Sequence, residues 1–258
     1  SSLAGEDVCR KLTLTTFHQL GYSILNTQAA AMGRKVPFCV VGEDEKEYIL
    51  RHVLAIDKNH LQDLGDHITR FKQEAGHEPV APGVKEPMAV YQSYLAENNL
   101  FDLDDLIYET VVLLRSHPDI AEIYRRKYHW ILIDEYQDIN RAQYELIRLL
   151  AAGDEPDLFV IGDPHQAIYG FRGADVRFIQ RFREDFPIAS VYGLTRSYRC
   201  PDPILRASQQ VIASTLEEPV VLYGMPEQVK VKITSHPTDR SEAEFVARTI
   251  EQMLGGLR

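Results

Sequence analysis

The run Trp130-Ile131-Leu132-Ile133 leads directly into Asp134 and Glu135. Two adjacent carboxylates behind an apolar run can hold Mg²⁺ on a nucleotide and activate a water. The plainer alternative is a core strand followed by a solvated acidic turn. A second cluster lies in the stretch from Gly162 to Asp175, where Gln166, Tyr169, Phe171 and Arg172 stand among three glycines. An amide near paired acids can sense a γ-phosphate or orient a water. Two rings two residues apart can offer their faces to bases, each stacked base being worth roughly 1–3 kcal/mol. Aromatic rings also belong commonly to cores, and that alternative stays open. A third cluster is Arg196 and Arg199. Arginine at a seam between units can stabilise charge on a transferring phosphoryl group. Its bland alternative is a surface ion pair.

These side chains need elements to carry them. An apolar run without alternation suits a strand buried on both faces of a parallel sheet. Asp134 and Glu135 would then sit at its carboxyl end, where open α/β sheets bind ligands. An amphipathic helix follows over 140–152, then a second buried strand, Leu158 to Gly162, ending in Asp163. A helix over 174–186 and a short strand over 189–192 continue the alternation, which implies a parallel α/β sheet.

The flanks differ. Residues 11–16 alternate like a strand, and 17–31 have helical spacing. Residues 31–125 read as nearly all helix, over 47–54, 59–74, 88–98 and 102–116, with a Pro-rich loop over 77–87 and Asp102 as an N-cap. This block reads as an insertion. After Leu194 a new unit begins, with a helix over 201–214, a strand over 230–234 and a last helix opened by Asp239 and Glu242. The expected division is 1–22 and 125–192 for one α/β domain, 23–124 for the insertion and 193–258 for the start of another.

The 258 residues suffice for one large domain or two smaller ones. The formal net charge of −10 argues against coating nucleic acid by bulk charge, though a local basic groove or stacking platform remains compatible. No apolar run is long enough to span a bilayer. The N-terminus has no secretory pattern, and the three cysteines show no metal or disulfide spacing, so a cytoplasmic setting is expected.

Together these stretches resemble a known family. Asp134-Glu135-Tyr136-Gln137-Asp138, then Gly162-Asp163-Pro164-His165-Gln166-Ala167-Ile168-Tyr169-Gly170-Phe171-Arg172-Gly173-Ala174, then Tyr198-Arg199 resemble motifs II, III and IV of superfamily 1 DNA helicases of the UvrD/Rep/PcrA family. Thr15-Thr16-Phe17-His18-Gln19-Leu20 resembles motif Ib, and the stretch from Leu100 to Leu106 resembles part of the family's helical insertion. The order is right and nearly the whole chain is covered.

The resemblance implies a P-loop NTPase (RecA-like) parallel sheet with a helical insertion, plus the beginning of a second RecA-like domain. It implies ATP and Mg²⁺, with Asp134 on the metal and Glu135 beside it as base on the attacking water. Gln166 and Arg199 would meet the γ-phosphate. Tyr169, Phe171 and Arg172 would stack on or flank single-stranded bases, and Phe17 and His18 would line the DNA path. The partners implied are single-stranded and forked DNA, traversed 3′ to 5′, in repair, replication or recombination.

The sequence departs from the family's pattern at several positions. Phe171 stands where Trp is common, His165 where an acid is common, and Ser197 and Cys200 where Asn and Ser are usual. The sequence contains no Gly-x-x-x-x-Gly-Lys-Ser/Thr, the loop that cradles phosphates. The chain therefore reads as the middle of a helicase, expected to be inactive alone. Two alternatives stand beside this reading: the motor of a helicase–nuclease of the RecB/AddA kind, and a non-catalytic binding module with a relic helicase fold.

Overall fold

The computed structural model describes residues 12–152, 157–213, 222–227 and 229–255. Lys11, Cys9, Ser214 and the last three residues, which figure in the sequence reading, lie outside them. The chain divides into two compact units, one up to Ile188 and one from Ala189.

The first unit mixes helices and strands. Helix α1 (Phe17–Thr27) opens with a capping box, in which Thr16 and Gln19 satisfy each other's backbone N–H groups. Strand β1 (Cys39–Val41), helix α2 (Glu43–Tyr48), helix α3 (Lys58–Gln73), helix α4 (Pro82–Glu97) and strand β2 (Leu100–Asp102) follow. Next come α5 (Asp105–Ser116), α6 (Pro118–Lys127), β3 (Trp130–Ile133), α7 (Arg141–Leu150), β4 (Asp157–Val160) and the short helices α8 (Arg177–Gln180) and α9 (Phe182–Asp185). Strands β1 and β2 pair in parallel, as do β3 and β4.

Three apolar clusters hold this unit. Ile24, Leu25, Val111, Leu114 and Leu146 bring α1, α5 and α7 together. Ile49, Leu50, Leu64, Ile68, Tyr91 and Leu95 close the helical block of α3 and α4. Tyr136, Ile139, Tyr144, Ile147 and Phe178 pack beneath β3 and β4, against Ile133, Leu158 and Val160. That last cluster is the floor on which the two acid-bearing strand ends rest.

The second unit contains β5 (Arg196–Pro201), α10 (Asp202–Ile212), β6 (Tyr223–Met225) and α11 (Asp239–Met253), with β5 and β6 parallel.

Several expectations are corrected. Strand β3 is half-buried on one face and open on the other: Trp130 and Leu132 are 72% and 67% exposed, because no described element covers their face. Residues 12–16, 189–192 and 230–234 form no strand. Leu14, Tyr192 and Ile233 stand exposed there, since an alternating sequence becomes a strand only where a ladder partner meets it. The strands actually formed at 39–41, 100–102, 196–201 and 223–225 carried no strong alternation. Asp102 ends β2 and is not the N-cap of α5. The Pro-rich loop stops at Pro82, whose fixed φ starts α4 at its first turn. The helix expected over 47–54 is α2 running into a π-helical turn over Ile49–Val53. The helix expected over 174–186 starts late and breaks at Arg181. Its start is delayed because the Asp175 carboxylate accepts the Arg177 N–H at 3.0 Å. In α11 the capping box is Thr238 with Ser241, not Asp239 with Glu242.

Candidate nucleotide and DNA site

The parallel ladder of β3 and β4 runs on past the strands. The Ile161 N–H donates to Ile133 O at 2.8 Å, and the Tyr136 N–H donates to Ile161 O at 2.9 Å. This register sets the Asp134–Asp138 turn beside the loop that starts at Gly162.

Asp134 and Glu135 are both exposed at the strand end. The Glu135 N–H donates to Asp134 Oδ1 at 3.0 Å. Glu135 has φ of 53°, in the left-handed region. For a residue with a side chain this costs on the order of 1–3 kcal/mol and persists where surrounding bonds over-determine the backbone. Those bonds are the ladder before it and the 3₁₀ turn Tyr136–Asp138 after it.

Gln137 is 1% exposed and lies between the two loops. Its Oε1 accepts the Asp163 N–H at 3.0 Å. Its Nε2 donates to Glu135 Oε2 at 2.7 Å and to Asp138 Oδ2 at 3.1 Å. Asp163 in turn organises the second loop. Its carboxylate accepts the His165 N–H at 3.0 Å and Gln166 Nε2 at 2.8 Å, capping a 3₁₀ turn over Pro164–Gln166. Asp134, Glu135 and Gln166 thus belong to one hydrogen-bonded constellation. The sequence reading quoted Gln137 but gave it no role; its signal was an amide two residues past the acids.

Further along, Tyr169 and Phe171 are 40% and 78% exposed, with ring centroids 6.2 Å apart. Neither ring is a core residue. The Arg172 guanidinium lies 5.6 Å from one centroid and 5.4 Å from the other, within cation–π range of both. Gly173, at φ of 83°, ends this turn where a Cβ would fall 2.4 Å from Gln73 Oε1 at the end of α3. Glycine is therefore favoured there by the backbone, while a Cβ would only displace the flexible Gln73 side chain.

The remaining candidates are not members of this hydrogen-bonded group. Phe17 is half-buried and packs into two of the core clusters, while His18, one residue on, is exposed. Arg196 and Arg199 lie on β5, in the second unit, and both are exposed. Arg196 stacks over the Tyr198 ring at 5.3 Å. Arg199 makes no ion pair with any described residue. Its N–H donates to Ser197 Oγ at 3.3 Å, and the Cys200 N–H donates to the same oxygen at 3.0 Å.

The sequence reading also missed a buried ionic group. Lys72 Nζ pairs with Asp102 Oδ2 and, at 2.7 Å, with Asp105 Oδ1. Tyr91 donates its hydroxyl to Asp102 at 3.1 Å. Burial opposes the charge on Lys72, but Asp105 and Asp102 outweigh it and raise its pKa. Burial pushes Glu109 up to about 7, with repulsion from Asp105 added.

Among the described residues, no three carboxylate, histidine or cysteine groups converge as a metal cage. Mg²⁺ on a nucleotide commonly uses one or two protein carboxylates, phosphate oxygens and water, so exposed Asp134 with spare acceptor capacity fits that donor set. No helix among the described residues is long and apolar enough to cross a membrane.

Residues 1–187 match the UvrD/REP helicase N-terminal domain. The ATP-dependent DNA helicase PcrA of Staphylococcus aureus is 32% identical over 260 residues, covering 95% of this chain and 36% of that protein. The ATP-dependent DNA helicase UvrD1 of Mycobacterium bovis is 34% identical over 280 residues, covering 98% and 36% respectively. The chain thus spans about a third of the length of these relatives. With the ordered loops and the match over residues 1–187 pointing the same way, the chain belongs to the UvrD/REP helicase N-terminal domain family.

Proposed function

We propose that this chain is the central motor portion of an ATP-dependent DNA helicase that moves 3′ to 5′ on single-stranded DNA and opens forks. The observation that carries the reading is the joining of Glu135 and Gln166 through Gln137 and Asp163. A base for the attacking water and a group for the γ-phosphate belong within one site.

In this reading the first unit carries a RecA-like, P-loop NTPase sheet, interrupted by the helical insertion over 23–124, and residues 193–258 begin a second RecA-like domain. Asp134 would hold Mg²⁺, which would supply positive charge beside the phosphates of a bound ATP. Glu135 takes the proton from the attacking water. Gln166 meets the γ-phosphate from the same loop that presents Tyr169 and Phe171. Bases stack on those rings, with Arg172 adding positive charge beside the backbone. Arg199 offsets developing charge on the transferring phosphoryl group. His18, with Phe17 behind it, flanks the DNA path. A cytoplasmic role in DNA repair, replication or recombination follows from the same reading.

The helicase–nuclease alternative gains no support from PcrA and UvrD1, both named as ATP-dependent DNA helicases. The relic-fold alternative rests on the missing phosphate loop; the retention of Asp134, Glu135, Gln166 and Arg199 opposes it. The deciding experiment is Glu135→Gln in the full-length protein. Single-strand-stimulated ATP turnover should fall by about 10²–10⁴-fold, the usual contribution of a positioned base, while ATP still binds. Turnover that survives the substitution would refute the reading.

A further inference from the structure

We propose that Gln137 is a positioning residue that sets the carboxylate of Glu135 relative to the Gln166 loop, so that the two take up their working geometry together. The inference rests on the roles given above for Glu135 and Gln166.

The argument starts from what an amide can do. It has one oxygen that accepts and one nitrogen with two protons to donate. The Asp163 N–H can be met only by an acceptor, so Oε1 faces it, at 3.0 Å. The nitrogen then faces two carboxylates, Glu135 at 2.7 Å and Asp138 at 3.1 Å. Both protons and the oxygen are used, and the side chain is almost wholly buried. A buried amide with every group satisfied has one orientation, and turning it over would strand all three partners.

The neighbouring backbone is shaped to admit it. A Cβ on Gly162 would lie 2.8 Å from Gln137 Oε1 and 3.2 Å from the Gln137 backbone nitrogen. A side chain there would press equally on the amide oxygen and on Ile179 Cδ1, so one of them would have to shift. On the far side, the Asp163 carboxylate holds Gln166 Nε2 at 2.8 Å. The result is a continuous chain, Glu135–Gln137–Asp163–Gln166, with exposed acid and amide at its ends and a buried amide in the middle.

This gives Gln137 a task distinct from closing a loop. Glu135 is an exposed, multi-rotamer side chain on a left-handed backbone. Its carboxylate is fixed by the Gln137 donor bond, and fixing a reacting group is worth about 10²-fold per ångström of misplacement avoided. Because the same amide holds the Asp163 backbone, a shift of the Gln166–Phe171 loop changes the bond that aims Glu135.

The two halves of the amide can be separated in the full-length protein. Gln137→Glu keeps an oxygen for the Asp163 N–H and removes the donor to Glu135 once it is ionised; burial beside Glu135 and Asp138 favours its protonated form, so its assays and the wild-type controls are run at about pH 9. Gln137→Met keeps neither at similar length. With Gln137→Glu, amide hydrogen exchange at Asp163, measured without nucleotide, should stay as slow as in the wild type. Its single-strand-stimulated kcat for ATP should still fall on the order of 10²-fold with little change in KM. With Gln137→Met, exchange at Asp163 should quicken and kcat should fall similarly. If Gln137→Glu turns over like the wild type, the amide merely closes the loop and the positioning role is overturned. Should that variant not fold, Gln137→Met decides by its kcat: a wild-type value overturns the proposal. Glu135→Gln run alongside separates the two ideas. Turnover retained there removes the site reading itself. Turnover lost there but kept in the Gln137 variants removes only the positioning role.

Discussion

Two groups of acids in the first unit look alike in sequence and behave oppositely in the fold. Asp134 and Glu135 follow an apolar strand, and so do Asp102 and Asp105 after Leu100-Phe101. The second group is buried, and its oxygens meet Lys72, the Tyr91 hydroxyl and two backbone N–H groups. The first group is exposed; the described bonds to it are one backbone N–H on Asp134 and one amide bond on Glu135. Carboxylates already satisfied inside the protein hold the insertion together. Carboxylates with acceptor capacity to spare are available for a cation and a water. The cation decides the difference: Lys72 reaches one group and no lysine or arginine pairs with the other among the described residues.

The sharpest way to break this contrast is to exchange its consequences. Lys72→Met leaves two buried carboxylates without a cation, and denaturant unfolding should show a loss of about 3–5 kcal/mol. Asp134→Asn should change stability by no more than about 0.5 kcal/mol, as exposed sites do, while Mg²⁺-dependent ATP turnover in the full-length protein collapses. Equal stability losses in the two variants would erase the distinction. Next in size are the rings of the Gln166 loop. Tyr169→Ala and Phe171→Ala should each weaken single-strand binding by about 1–3 kcal/mol, read from a titration at fixed salt. Unchanged affinity in both would remove their stacking role.

Acidity tests the buried side. Glu109 holds its proton in the folded chain up to about pH 7, against a usual value of 4.5. Between those values the folded chain binds more protons than the unfolded one, so this group's contribution falls as pH rises from about 4.5 to 7 and is flat above. Glu109→Gln should flatten that part of the stability profile and raise stability at pH 8 by on the order of 1–2 kcal/mol. An unchanged profile would mean that Asp105, Asp102, Lys72 and Arg34 around it carry the dependence instead. The smallest effect concerns the exposed side. Glu135→Gly relieves a left-handed backbone but leaves the buried Gln137 amide without one acceptor, so stability should change by less than about 1 kcal/mol while turnover is abolished. A larger loss of stability would show that the Glu135 side chain supports the fold beyond that one bond.

The acid pair, the Gln166 loop and their order along the chain were legible because each is a local string whose residue types announce their chemistry. The helices around 17–27, 58–73, 105–116, 141–150 and 202–212 were legible through apolar periodicity, which survives as long as one face is buried. The short strands were not. Cys39–Val41 and Leu100–Asp102 are three residues each, too brief for a period of two to show, and they exist because each supplies the other's ladder. The alternating stretches at 11–16 and 230–234 failed for the converse reason, since their described residues meet no partner.

The sequence by itself determined the family and the list of residues able to do chemistry, because side-chain type and spacing are properties of the string. Only the tertiary structure decided which acids are free and which are neutralised. It also decided that Tyr169 and Phe171 face outward, and that one buried amide joins the Glu135 turn to the Gln166 loop. The physical reason is the same in each case. Desolvation, pairing and hydrogen-bond satisfaction depend on partners brought from elsewhere in the chain: Lys72 comes from 30 residues before Asp102, and the Asp163 N–H from 26 residues after Gln137.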